Sequence, residues 1–260
     1  MADEGFIRSL LLRDGPGEAT RDAYPWEVPA VARLRDGVDL HPKVTYLIGE
    51  NGSGKSTLLE AIALAAGMSA EGGSSNFAYP TAEADPAAAA AFAFSARAAR
   101  ADLAGALRLV RGGRRPRTDF FLRAESLFAA ATYLEGLDPA ALAPYGGVSL
   151  HEQSHGESFL AVLINRLGPE GLYLLDEPEA ALSTQNCLTA LRRIHELVTQ
   201  GSQFVIATHS PIILAYPEAT IYGCSDEGLE VVDYEDAEPV RLMRAFLAGR
   251  ERFLGRLLAD

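Results

Sequence analysis

Apolar and polar positions change period several times along the 260 residues. Residues 5–13 alternate sides, as a half-buried strand does. Apolar residues crowd 28–35, which predicts a second strand. The run Val44-Thr45-Tyr46-Leu47-Ile48 predicts a third strand, buried on both faces. The pattern then turns helical from Lys55 to Ala66, with Gly67 placed to cap it. Residues 69–117 are the least legible: 71–76 is loop-like and 87–91 is an alanine run with a poor face pattern. A helical stretch from about Arg123 to Leu137 precedes a loop bearing Pro and Gly at 139–147. Ser158 to Arg166 carries apolar residues at helical spacing, and Leu172 to Leu175 suits a buried parallel strand. Thr184 to Gln200 predicts an amphipathic helix with Leu188, Leu191, Ile194 and Val198 on one face. Phe204 to Ala207 reads as the next strand, 221–224 and 229–233 as a hairpin, and 239–258 as a terminal amphipathic helix.

This length and mixture fit one large α/β domain, or one domain with a sub-lobe. Apolar runs are too short and interrupted to span a bilayer, and the acidic start lacks a signal-peptide pattern. Cys187 and Cys224 are too few and too separated for a disulfide framework or zinc site. Both read as small core residues, in a reduced cytoplasmic setting. The net charge of −12 argues against generic coating of nucleic acid. One local exception is Arg108, Arg111, Arg114, Arg115 and Arg117. It reads first as a solvated hairpin around Gly112-Gly113, and second as an anion or nucleic-acid patch.

The densest chemistry lies between the third strand and the helix after it. Gly49-Glu50-Asn51-Gly52-Ser53-Gly54-Lys55-Ser56-Thr57 has the form G-x-x-x-x-G-K-[ST]. By average residue usage such a run arises by chance in roughly one chain of this size in a hundred. Its glycines let the backbone amides of Asn51 to Thr57 approach a phosphate, and the helix start adds a positive dipole end. Lys55 would reach the β- and γ-phosphates, and the Ser56 hydroxyl would hold Mg²⁺. Only Lys43 and Lys55 are lysines; arginine is used elsewhere.

A second signal is Leu172-Tyr173-Leu174-Leu175-Asp176-Glu177, an apolar strand ending in two acids. Beside a phosphate loop this is a Walker B arrangement. Asp176 would bind Mg²⁺ through its water shell, and Glu177 would polarise a water for attack on the γ-phosphate. The bland alternative is a helix cap, Asp176 before Pro178 with Glu179 three residues on. His209, directly after the strand 204–207, would point into a ligand crevice and steady the attacking water. His41, His151 and His195 read as structural. Ser154 with Glu157 forms a capping box, and its serine and Gly156 could also clamp a phosphate.

The order of these pieces resembles the ABC-type ATPase head, a P-loop NTPase fold with a mixed-sheet core and a smaller helical signature lobe. Ser-His-Gly-Glu-Ser at 154–158, Asp-Glu-Pro-Glu-Ala-Ala-Leu-Ser at 176–183 and Ala-Thr-His-Ser-Pro at 207–211 look like bacterial stand-alone AAA family ATPases. These lie nearer to SMC-like and DNA-repair heads than to transporter subunits. The resemblance implies a single domain over 1–260, with its core lobe at about 1–117 and 170–260 and its signature lobe at about 118–169. It implies an ATP-dependent head-to-head homodimer around two Mg-ATP. Ser154, Gly156 and Glu157 would act in trans as the signature, Ser183 would stand in the D-loop, and His209 would be the switch histidine. The pattern departs from the family at His155, Glu157 and Ser183, where the family has glycine, glutamine and aspartate. Glu125 is the nearest candidate for the missing Q-loop residue, facing the metal. Tyr24 and Trp26 lie where an aromatic often stacks on adenine.

Hydrolysis of ATP coupled to an unknown partner is the function this pattern implies. A transporter subunit, a non-hydrolytic ATP switch and a P-loop kinase are the alternatives. The altered signature and missing Q-loop weigh against the first, Glu177 against the second and the Asp176-Glu177 pair against the third. Nucleic acid as the working substrate comes from the resemblance alone, and the net charge gives it no support.

Overall fold

Alternation of side chains across the strands divides the core into two halves. In the structure, a computed structural model, residues 4–13, 23–69, 72–74, 77–78, 98–99, 101–124 and 153–259 are described. Strands β1 (Ile7–Leu12), β2 (Val38–Asp39), β3 (Val44–Ile48), β4 (Gly73–Ser74), β5 (Phe77–Ala78), β6 (Leu107–Arg111) and β7 (Thr118–Arg123) come first. They are followed by β8 (Gly171–Asp176), β9 (Gln203–Ala207), β10 (Ala219–Ser225) and β11 (Gly228–Val231). The main sheet has the order β11-β10-β3-β9-β8-β7-β4-β5. Its central strands, from β10 to β7, are parallel. A small antiparallel sheet, β2-β1-β6, packs beside it.

On one face Tyr46, Phe120, Tyr173, Phe204 and Ile206 meet helix α3 (His155–Ala161) and helix α4 (Thr184–Thr199) through Phe159, Ile194 and Leu197. On the other, Leu47, Phe121, Leu172, Leu174 and Val205 meet helix α2 (Lys55–Ala66) and the small sheet. Successive residues of one strand thus serve opposite cores, which is why these strands read as unbroken apolar runs. Buried Gln203 ties the two sheets together. Its Oε1 accepts the Ile7 N–H at 2.9 Å, and its Nε2 donates to the Ile7 carbonyl at 2.8 Å.

Several expectations change. Residues 28–35 are helical, as α1 (Pro29–Ala32) and a 3₁₀ turn, Arg33–Asp36. Pro29 starts the turn, and Val31 and Leu34, three apart, both face the core. The arginine run is not a hairpin: β6 pairs with β1, whereas β7 pairs with β8 in the main sheet. Residues 118–123 therefore lie within the core sheet, not in a separate lobe. Leu188 on α4 is exposed, and the buried stripe is Cys187, Ala190, Ile194, Leu197 and Val198. The terminal helix is two helices, α5 (Glu238–Ala248) and α6 (Arg250–Leu257), parted at Gly249 and touching edge-to-face through Phe246 and Phe253. The alanine run, most of the stretch from Arg123 to Leu137 and the loop at 139–147 lie outside the described residues. Among the described residues no helix is long and apolar enough to cross a membrane.

Candidate functional site

The parallel strands β3, β8 and β9 end together, and each delivers part of one site. The loop 49–54 leaves β3 and enters α2 at Lys55. Gly54 sits at φ 97°, and a Cβ there would meet Val28 Cγ1 at 2.4 Å. Gly49 (φ 144°) passes so close to β10 that a Cβ would lie 2.4 Å from the Cys224 carbonyl. Glycine is therefore required at both ends of the loop by backbone angle and by space. The start of α2 has no side-chain cap, so its first-turn amides are offered to whatever the loop encloses.

Lys55 is 4% exposed, and its Nζ donates to the carbonyls of Gly49 and Glu50, both at 2.9 Å. Burial pushes its pKa down, opposed by the acids around it, with Glu177 first. Asn51 and Gly52 are exposed at the tip of the loop. The Ser53 hydroxyl is buried with no hydrogen-bond partner among the described residues. Thr57 is buried, and its hydroxyl lies 3.2 Å from the Tyr24 hydroxyl. Trp26 packs on the core beside α2, as an ordinary core aromatic does.

The Ser56 hydroxyl donates to Asp176 Oδ1 at 3.1 Å, across 120 residues of sequence. Asp176 is the last residue of β8, not a helix cap. Glu177 follows at φ 48°, a left-handed angle that a non-glycine residue adopts at a cost. Its N–H still bonds to the Ala207 carbonyl at 3.0 Å, so the β8–β9 ladder runs to this residue. The Glu177 side chain is 40% exposed, and its Oε1 lies 3.6 Å from His209 Nε2. That nitrogen is buried and makes no hydrogen bond among the described residues.

Four further residues touch these groups: Arg123, Glu60, Glu179 and Thr208. Arg123, at the end of β7, donates to Glu60 Oε1 at 2.6 Å and sits 3.5 Å from Asp176 Oδ2. Glu60 is 1% exposed on α2. The pair lies directly behind Ser56 and Asp176. Glu179 accepts from the Thr208 hydroxyl at 2.8 Å and from the His209 N–H. Glu60 carried one sequence signal, a carboxylate on the apolar side of a helix, which needs a cation when buried.

The Ser154 segment is built differently. Ser154 and Glu157 form a reciprocal capping box at the exposed start of α3. Ser154 N–H and Oγ donate to Glu157 Oε2 at 2.9 and 2.6 Å. These bonds hold the Glu157 carboxyl below its ordinary range. Gly156 rests on the loop after β8: a Cβ there would lie 3.0 Å from the Ala181 carbonyl. Ser183 is exposed and caps α4, accepting from the Asn186 N–H at 3.2 Å. Glu125 lies outside the described residues. In the arginine run, Arg114 and Arg117 both pair with Glu170, at 2.7 and 2.6 Å. Cys187 and Cys224 are buried; burial raises the pKa of both, that of Cys224 to about 11.

Uncapped loop, buried lysine and Ser56–Asp176 contact fit a nucleoside triphosphate. Residues 33–101 match the family model of the AAA domain. The match contains the whole phosphate loop and α2. Three solved structures are similar over most of their length. The SMC head domain from Thermotoga maritima is 16% identical with a TM-score of 0.41, covering 87% of this chain and 98% of that one. An SmcHead bound to the C-winged helix domain of ScpA is 16% identical at TM-score 0.41, covering 75% and 92%. An inward-facing ABC transporter of metal-chelate type is 14% identical at TM-score 0.46, covering 93% and 88%. No curated protein matches the chain. Over the matched segment the chain thus resembles a P-loop ATPase domain, through the AAA match and the loop geometry together.

Proposed function

We propose that this chain binds and hydrolyses ATP, and that the groups around its phosphate loop form half of a site completed by a second copy. The observation that carries the reading is the Ser56–Asp176 contact beneath an uncapped loop with a buried lysine. A hydroxyl and a carboxylate meeting there match the two protein groups that hold Mg²⁺ beside phosphates. Among the described residues no cluster of three or more His, Cys, Asp or Glu could cage a metal. One hydroxyl and one carboxylate suit Mg²⁺, which keeps much of its water and takes other oxygens from phosphate. When bound, that ion would neutralise charge on the phosphate oxygens.

The amides of Asn51 to Thr57 and the Lys55 ammonium bind the phosphates. The Ser53 hydroxyl, buried and unpartnered among the described residues, is available as a further donor. Glu177 accepts a proton from the attacking water. His209 Nε2, 3.6 Å from that carboxylate, orients the water and the γ-phosphate end. Hydrolysis in a cytoplasmic setting would be coupled to a protein partner. Ser154, Gly156 and Glu157 reach the nucleotide of the partner copy in trans, with Ser183 beside the same interface. The exposure of Ser154, Glu157 and Ser183 supports that placement. Pairing of Arg114 and Arg117 with Glu170 weakens the case for a nucleic-acid patch there.

Phosphate release with Mg-ATP tests the core of this reading. Wild type should turn over, and Lys55→Ala should lose about 10²-fold or more of that rate. An unchanged rate in Lys55→Ala would overturn the phosphate-loop assignment.

A further inference from the structure

Two glutamates follow β8, and they face different ways. Glu177 is directed toward His209 Nε2. Glu179 lies on the short turn Pro178–Ala181, with both carboxylate oxygens engaged by the segment after β9. Oε2 accepts from the Thr208 hydroxyl at 2.8 Å, and Oε1 accepts from the His209 N–H. Thr208 is fully buried, and its hydroxyl oxygen accepts from the Ser210 N–H at 3.0 Å. Ser210 Oγ in turn accepts from the Ile213 N–H at 3.3 Å. One carboxylate therefore grips two consecutive residues and anchors the turn beyond them. Hydrogen bonds to an ionised acceptor are the stronger kind, and two at adjacent residues fix rotation as well as place.

We infer that Glu179 is a positioning residue for His209. It holds the strand end so that the imidazole stands against Glu177, and its effect on turnover passes through that histidine. The inference rests on the ATPase reading above. The same turn lies close to α3: a Cβ at Gly156 would come within 3.0 Å of the Ala181 carbonyl, two residues from Glu179.

Three substitutions in the full chain test this, with ATP turnover and the affinity for a fluorescent ATP analogue as readouts. Glu179→Ala should lower kcat about tenfold or more, because sub-ångström misplacement of a reacting group is costly. Its analogue affinity should stay within about twofold, because among the described residues Glu179 makes no hydrogen bond to the phosphate loop or to Lys55. Glu179→Gln should recover most of the rate. Its carbonyl still accepts from the His209 N–H, and its amide can donate to the Thr208 oxygen. A wholly structural clamp would instead lose affinity and kcat together, and that result overturns the inference. So does an undiminished kcat in Glu179→Ala. If Glu179→Ala does not fold, Thr208→Val decides: a kcat reduced about threefold or more at constant affinity supports the inference, and an unchanged kcat overturns it. A wild-type chain with no turnover sinks the ATPase reading itself, whereas normal wild-type turnover with an active Glu179→Ala sinks only the role of Glu179.

Discussion

Two helix starts in this chain solve the same problem in opposite ways. At α2 the N-cap is Gly54, no side chain caps the helix, and a lysine is buried in the first turn. At α3 the N-cap is Ser154, and Glu157 completes a reciprocal capping box on the surface. A helix start must satisfy its free amides somehow. The second does so with its own side chains, and the first has no side chain that does. An uncapped, glycine-bounded start is therefore the stronger mark of an anion site, even though both segments contain serine and glycine. Ser154 can serve a phosphate of a second copy only by giving up part of its bond to Glu157.

The largest effect expected on the α2 side comes from Glu177→Gln. It should cut turnover about 10²–10⁴-fold, the usual contribution of a positioned general base, while ATP still binds. Stopped turnover with retained binding, read by phosphate release and by equilibrium binding, would place the residue in the chemical step. Next comes Arg123→Ala. It removes the ion pair to the Glu60 carboxylate, 1% exposed, and should lower stability in urea unfolding by up to about 3–5 kcal/mol. Arg123→Ala combined with Glu60→Gln should recover much of that loss. If the single variant is as stable as wild type, the ion pair does not support the floor of the site.

Smaller effects belong to α3. Ser154→Ala removes an exposed cap and should cost about 1 kcal/mol, without changing ATP affinity of the single chain. The smallest is a titration. The Glu157 carboxyl is held low by the Ser154 hydroxyl, then by the Ser154 N–H. Its stabilising contribution is thus complete above the ordinary glutamate pKa of about 4.3 and is lost as pH falls through the lower folded value. Carbon-detected titration should find the Glu157 pKa rising toward the ordinary value in Ser154→Ala. An unmoved pKa would mean that the capping box does not form in solution.

Local chemistry was legible from sequence, and long-range pairing was not. The glycine loop at 49–54, its helix from Lys55 to Ala66 and the acid-ended strand appear where spacing put them, because glycine angles and unbroken apolar runs are local. The Ser154 capping box was legible for the same reason. Pro29 misled in the opposite direction. Crowded apolar residues look like a strand until a proline at the first turn is weighed as a helix start. The arginine run looked like a hairpin because its flanks are adjacent in sequence, yet β6 and β7 join different sheets. Arg123 and Glu60 stand 63 residues apart, and Thr208 and Glu179 stand 29 apart. No periodicity announces such pairs; only the convergence of β7, β8 and β9 at one edge brings them together. Gly249 was visible all along, but a helical pattern on both sides concealed the break.

ATP held on one helix start, with the other offered to a second copy, would make the paired form depend on nucleotide. Light scattering on Glu177→Gln, with and without Mg-ATP, tests it most directly, because blocked hydrolysis should trap the closed form. Expected are a monomer without nucleotide, a dimer with Mg-ATP, and loss of that dimer in Glu177→Gln combined with Ser154→Ala. A monomer under every condition, with ATP demonstrably bound, would contradict it.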